Sequence, residues 1–163
     1  MSLNYFRPKN QKEALDLKQK DPSAKFIGGG STLQKETKEC NLIDMQLLPY
    51  REIETNNGSL IVGSLVSLET LCQYFKDFPE LVLALKIEGS KNQRNQSSLG
   101  GFIKKADGRS PFLTCLVAMD VCVVTEPGMK KVILNDFLKN RDQFEDLIVG
   151  IEIKIPDMLK FES

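Results

Sequence analysis

Residues 24–45 read Ala-Lys-Phe-Ile-Gly-Gly-Gly-Ser-Thr-Leu-Gln-Lys-Glu-Thr-Lys-Glu-Cys-Asn-Leu-Ile-Asp-Met. The run from Ala24 to Ile27 predicts a short strand that enters Gly28, Gly29 and Gly30 directly, followed by Ser31 and Thr32. The polar segment Leu33 to Glu39 predicts a helix, and Leu42-Ile43-Asp44-Met45 a second strand. A helix between two like strands is a βαβ unit, and such strands pair in parallel. Three glycines after a strand let the backbone take positive φ and let another group approach the main chain. Consecutive N–H groups there form an anion-binding nest that suits a pyrophosphate, with the hydroxyls of Ser31 and Thr32 as further donors. The loop is neither a Walker loop, since no Gly-Lys-Ser/Thr follows, nor the G-x-G-x-x-G fingerprint. On this loop alone, a tight structural turn is the plainer explanation.

Upstream, Asn10 with Glu13 resembles a capping box, and Ala14, Leu15 and Leu17 give an apolar face to a helix ending near Asp21-Pro22. Downstream, Asn56-Asn57-Gly58 is a strong turn signal, read as the boundary of the first lobe. Leu60-Ile61-Val62 predicts a strand ended by Gly63. Ser67 caps a helix to Phe75, and Pro79 opens another carrying Leu81, Leu83, Ala84 and Ile87. The polar stretch Glu88 to Gly101 has no hydrophobic period and reads as a long functional loop. Pro111 to Met119 returns to a buried helical pattern. Val121 to Val124 and Val132 to Leu134 flank Glu126-Pro127-Gly128-Met129 as a β-hairpin, and Leu147 to Ile155 is the last strand.

Within the long loop, Arg94-Asn95-Gln96-Ser97-Ser98-Leu99-Gly100-Gly101 again pairs glycines with hydroxyls. Arg94 suits either a phosphate or a carboxylate of another segment. Lys104-Lys105 beside it reads as a solvated pair, and Asp44 and Asp120 as caps.

Composition narrows the chemistry. Lys plus Arg and Asp plus Glu both total 22, so the net charge is zero, which argues against a nucleic-acid binder. No apolar run approaches a membrane span, and Met-Ser-Leu-Asn-Tyr lacks the marks of a signal peptide. Cys40, Cys72, Cys115 and Cys122 form no C-x-x-C pair and read as free thiols in a reducing cytoplasm. With no histidine in the chain, neither a Ser-His-Asp nor a Cys-His nucleophile can be built, and a zinc or iron–sulfur site is not expected. Redox or group-transfer chemistry here has to come from a cofactor, or else rest on carboxylates and lysines.

The order of these pieces resembles the FAD-binding subunit of the xanthine dehydrogenase and carbon monoxide dehydrogenase medium-subunit family. They are a strand into Gly-Gly-Gly-Ser-Thr, a Leu-Ile-Asp strand, an Ile-Val-Gly-Ser strand end, Arg-Asn-x-x-Ser-Leu-Gly-Gly and Ala118-Met119-Asp120. The likeness runs from Phe6-Arg7-Pro8 to Ile153-Lys154-Ile155-Pro156. It implies an α+β, two-lobed fold of the vanillyl-alcohol-oxidase type, with a small parallel βαβ lobe at 3–55 and a larger, mostly antiparallel lobe at 56–156. FAD would lie between them. Lys25, Phe26, Ile27, Gly28, Gly29, Gly30, Ser31, Thr32 and Leu33 would hold the pyrophosphate. Gly63, Ser64, Ser98, Leu99, Gly100, Gly101, Phe102 and Ile103 would add contacts from the second lobe, with Arg94 and Asn95 in the same cofactor-binding loop. The flavin would carry electrons from an iron–sulfur subunit to an acceptor, with hydroxylation on a molybdopterin subunit.

Three departures mark this chain. Phe102 stands where the family usually has Asn, and Pro111 where many members have a flavin-contacting Asp, with Asp107 or Ser110 as the nearby polar groups. The family's further C-terminal domain does not follow within the 163 residues. These departures carry the alternative expectation, a scaffold of the same fold that holds no flavin.

Overall fold

The structure is a computed structural model that describes residues 4–30 and 40–154. The expected helix at 33–39 and the site residues Ser31, Thr32 and Leu33 lie outside the described residues.

The first lobe is small. β1 (Tyr5–Phe6), α1 (Gln11–Lys20), β2 (Lys25–Ile27) and β3 (Leu42–Asp44) make a three-stranded sheet in the order β1-β3-β2, with both pairings parallel. Asn10 Oδ1 accepts from Glu13 N at 2.9 Å, as a capping residue should. Glu13 reaches back to Lys9 N at 2.7 Å rather than to the cap itself, so the box is displaced by one residue. Asp44 is buried but fully engaged: it accepts from the Tyr5 hydroxyl, from Gln46 N at 2.9 Å, and pairs with Arg7 Nε at 3.1 Å.

The second lobe holds β4 (Ile53–Asn56), β5 (Ser59–Gly63), α2 (Leu68–Tyr74), α3 (Pro79–Ile87), α4 (Lys91–Gln96), α5 (Leu99–Lys105), α6 (Pro111–Ala118), β6 (Cys122–Glu126), β7 (Lys130–Ile133), α7 (Leu134–Asn140) and β8 (Leu147–Lys154). Its five-stranded sheet runs β4-β5-β8-β6-β7 and is antiparallel throughout. The Asn57-Gly58 turn, with φ of 49° and 77°, joins two strands of this one sheet. The change of sheet therefore falls before Ile53, not at the turn.

The stretch read as a loop from Glu88 to Gly101 contains α4 and the start of α5. Ser90 and Gln93 close a true capping box, with Ser90 N donating to Gln93 Oε1 at 2.8 Å. α4 shows no apolar period because the side chain it buries is Arg94, whose Nε and Nη2 reach Glu69 Oε2 at 2.9 and 2.7 Å. α7 was hidden because Leu134 continues a β pattern, yet Leu134 and Phe137 are a buried i, i+3 pair on a helix.

Two cores result. One packs the antiparallel sheet against the helices, with Val62, Leu71, Leu85, Leu99, Ile103 and Phe137 almost wholly buried. Each such side chain contributes about 1.5–3 kcal/mol by leaving water. The other joins the lobes, setting Ala14, Ala24, Ile43 and Met45 against Leu65, Val124, Leu147 and Val149.

Tyr50 sits in the connection between the lobes. Its hydroxyl donates to Gln11 Oε1 at 2.9 Å and its carbonyl accepts from Leu65 N at 2.8 Å. Burial, helped by the negative charge of Glu126, pushes the phenol up to about 12. A folded-state value above the unfolded one means this contribution is complete below about pH 10 and is lost as pH rises toward 12. Wild type should therefore lose more stability than Tyr50→Phe between those pH values, as read by urea unfolding. Equal losses would show that Tyr50 ionises as it does in the unfolded chain.

Candidate functional site

β2 runs out of the first lobe straight into Gly28, Gly29 and Gly30, and the second lobe brings the start of α5 against them. A Cβ on Gly29 would fall on the Gln96 carbonyl oxygen, and one on Gly28 would lie 2.5 Å from Ser98 Oγ. Gly29 packs backbone to backbone on the second loop, and Gly28 packs against the side chains of Ser98 and Leu65, so neither position has room for a Cβ. Gly30, at φ 77°, faces open space. On the other side, Gly100 N donates to Ser64 O and Leu99 N to Val66 O, both at 2.8 Å, which seats α5 on the end of β5. Ser98 Oγ caps α5 by accepting from Gly101 N at 3.4 Å.

Where the loops meet, a cleft of about 520 Å3 opens between the lobes. One wall is Lys25 to Gly30. The facing wall carries Ser64, Leu65, Ser98, Gly100 and Gly101. The turn after α7, from Arg141 to Asp146, closes a third side together with Leu147 and Ile148 of β8. Ser64 is only 3% exposed, and its hydroxyl has no hydrogen-bond partner among the described residues. Buried hydroxyls are nearly always satisfied; Ser64 lines the cleft, whereas Thr125, the other described residue with a buried, partnerless hydroxyl, does not.

Of the residues proposed from sequence, Lys25, Phe26, Ile27, Gly28, Gly29, Gly30, Ser64, Ser98, Gly100 and Gly101 therefore share one cleft. The other described ones are placed elsewhere, and Ser31, Thr32 and Leu33 lie outside the described residues. Gly63 packs on the Tyr50 backbone. Leu99 and Ile103 are fully buried in the core, and the Phe102 ring lies tilted against that of Phe112, centroids 5.5 Å apart. Asn95 is exposed on α4. Arg94 spends its guanidinium on Glu69 and on Gly89 O, the latter at 2.6 Å. Ser110 donates to Glu88 Oε1 at 2.6 Å and caps α6, while Asp107 pairs with exposed Arg109.

The sequence reading missed the third wall. Lys104 is not a solvated residue: its ammonium donates to Arg141 O and, at 2.7 Å, to Phe144 O, and burial pulls its pKa down. Lys18 of α1 also lines the cleft and pairs with Glu145 at 2.6 Å. No local motif announces these groups, because they meet only through the fold.

Comparison with known proteins agrees with this architecture. Residues 1–157 match the family profile described as the FAD binding domain in molybdopterin dehydrogenase. YgfM of Escherichia coli strain K12, itself uncharacterized, is 30% identical over 142 residues, covering 85% of this chain and 54% of that protein. The chain thus spans about half the length of the curated relatives it matches. Quinoline 2-oxidoreductase from Pseudomonas putida 86 shares the fold with a TM-score of 0.82 at 24% identity, covering 96% of this chain and 60% of the other. Carbon monoxide dehydrogenase from Hydrogenophaga pseudoflava, in a form lacking the Mo-pyranopterin moiety, gives 0.82 at 22% identity with the same coverage. Among the described residues no helix is long and apolar enough to cross a membrane. With the small parallel sheet, the larger antiparallel sheet and a glycine-walled cleft between them, the chain belongs to the family of FAD-binding domains of molybdopterin dehydrogenases.

Proposed function

We propose that this chain binds FAD in the cleft between its lobes and serves as the flavin-bearing, electron-transferring part of a molybdenum hydroxylase in the cytoplasm. The observation that carries the reading is that the two glycine loops meet at one cleft, which Ser64, with its buried and partnerless hydroxyl, also lines. The residues fit the cofactor. The volume of about 520 Å3 suits an extended organic ligand. Gly28 to Gly30 and Gly100-Gly101 bring main chain to the cleft surface, where a pyrophosphate can be approached closely. Ser64 and Ser98 supply hydroxyls, and Phe26, Ile27, Leu65 and Ile148 supply apolar surface.

Bound FAD would supply two-electron and one-electron redox chemistry. The chain's own task is to bind, orient and shield it, for which no side-chain acid or base is required. An iron–sulfur subunit and a molybdopterin subunit are the partners this reading implies.

The second reading, a flavin-free scaffold, draws on Phe102 and Arg94. The first has its ring against Phe112 and the second its charge on Glu69, and neither lines the cleft.

Equilibrium titration with FAD, followed by quenching of flavin fluorescence, separates the two. Wild type is expected to bind one FAD, and Ser64→Ala to bind about tenfold more weakly, the loss of one charge-assisted hydrogen bond. Without flavin, Ser64→Ala should melt at or slightly above wild type, because an unsatisfied buried hydroxyl has been removed. No binding by wild type favours the scaffold, and an unchanged affinity in Ser64→Ala removes Ser64 from the site.

A further inference from the structure

The cleft has one edge made of backbone, where the glycine loops touch, and one edge made of charges. Lys18 Nζ donates to Pro22 O at 2.6 Å and Ala24 O at 3.0 Å, both in the first lobe, and to Glu145 Oε2 at 2.6 Å in the second. An ammonium has three donors, so two are spent fixing Lys18 just before β2 and the third crosses between lobes. The Lys18 side chain is 18% exposed and that of Glu145 is 64% exposed. The cation is the anchored member, and the carboxylate is the one free to swing. The turn that carries Glu145 is in turn tied to α5. Lys104 donates to Arg141 O and Phe144 O, and the Arg141 guanidinium donates back to Ala106 O. α5 is the helix that opens on Gly100-Gly101, so one line of hydrogen bonds runs from the first lobe, across the cleft edge, to the second glycine loop.

We propose that the Lys18–Glu145 pair is the clasp of this cleft, holding its charged edge closed and setting how fast a bound dinucleotide leaves. The proposal rests on the cleft being the flavin site. It makes Lys18 and Glu145 positioning residues, acting through closure and not through contact with the ligand. The pair lies at the surface, so its effect is modest, about two- to fivefold in a rate, and is screened by salt.

Two measurements on the whole chain test it, using Glu145→Ala, whose exposed side chain makes misfolding no concern, and Lys18→Ala with the double variant. In flavin-free protein, hydrogen exchange at 143–147 is expected to speed up in each single variant, with no further gain in the double. Exchange at 24–28 is expected to speed up in Glu145→Ala, which leaves the Lys18 bonds to Pro22 and Ala24 in place. In stopped-flow displacement, FAD is expected to leave Glu145→Ala about two- to fivefold faster with little change in association, and wild type in roughly 0.5 M salt should approach the variant. Exchange unchanged from wild type would overturn the clasp, as would slower FAD release, which would make Glu145 a competitor of the ligand's phosphates. If wild type binds no flavin, the proposed function falls, and exchange in the flavin-free protein still decides the clasp.

Discussion

Arg94→Met is expected to cost about 3–5 kcal/mol of stability, because it leaves the Glu69 carboxylate buried without its partner. For a chain of this size that lowers the melting temperature by roughly 10 °C. Three contacts are lost together: the Nε and Nη2 hydrogen bonds to Glu69 and the Nη1 bond to Gly89 O. The last of these holds the connection between α3 and α4, so α4 should fray first. Removing both charges in Arg94→Met/Glu69→Leu is expected to recover most of the loss, since a buried pair replaced by apolar groups is often neutral. Urea unfolding of the three proteins checks this. Because Arg94 does not line the cleft, FAD affinity per folded chain should change less than twofold. A large fall in affinity with little loss of stability would instead make Arg94 a cofactor ligand.

Gly29→Ala is expected to destabilise by about 2–3 kcal/mol and to abolish flavin retention. The added Cβ meets the Gln96 carbonyl, a backbone atom that cannot rotate away, so the first glycine loop must lift from the second. That separation widens the cleft where the pyrophosphate is proposed to lie. Gly108→Ala is the control: it is an exposed glycine with open space around its Cβ position, and should leave flavin binding unchanged. Thermal melts and flavin content after gel filtration read both effects. A Gly29→Ala protein that melts with wild type and keeps its flavin would show that the loops do not depend on this contact.

Much of the fold was legible because its signals are local. A strand ending in three glycines, a serine cap at Ser67, a proline opening a helix at Pro79 and the apolar helical pattern from Pro111 are each read from a few neighbouring residues. The parallel pairing of β2 with β3 followed from the βαβ pattern. What escaped was whatever depends on a distant partner. α4 is polar all round because it buries an ion pair rather than an apolar stripe, so periodicity had nothing to detect. In α5 the Leu99 and Ile103 spacing was present, but two glycines in the first turn masked it. The Asn57-Gly58 turn was recognised as a turn, and only strand pairing shows that both its arms lie in one sheet.

The candidate site divides in the same way. The glycine loops and Ser64 carry local signatures and meet in the cleft. Arg94 and Phe102 sit in the same motif but turn the other way, toward Glu69 and Phe112. Lys18, Lys104 and Glu145 belong to no motif, and their closeness is a product of the tertiary fold.

The most direct test of the central claim is the flavin content of purified wild-type protein. The protein is given excess FAD, passed through gel filtration and denatured, and the released nucleotide is identified and measured by its visible absorption. The account predicts close to one FAD per chain. A well-folded protein that returns none after exposure to excess FAD would contradict it.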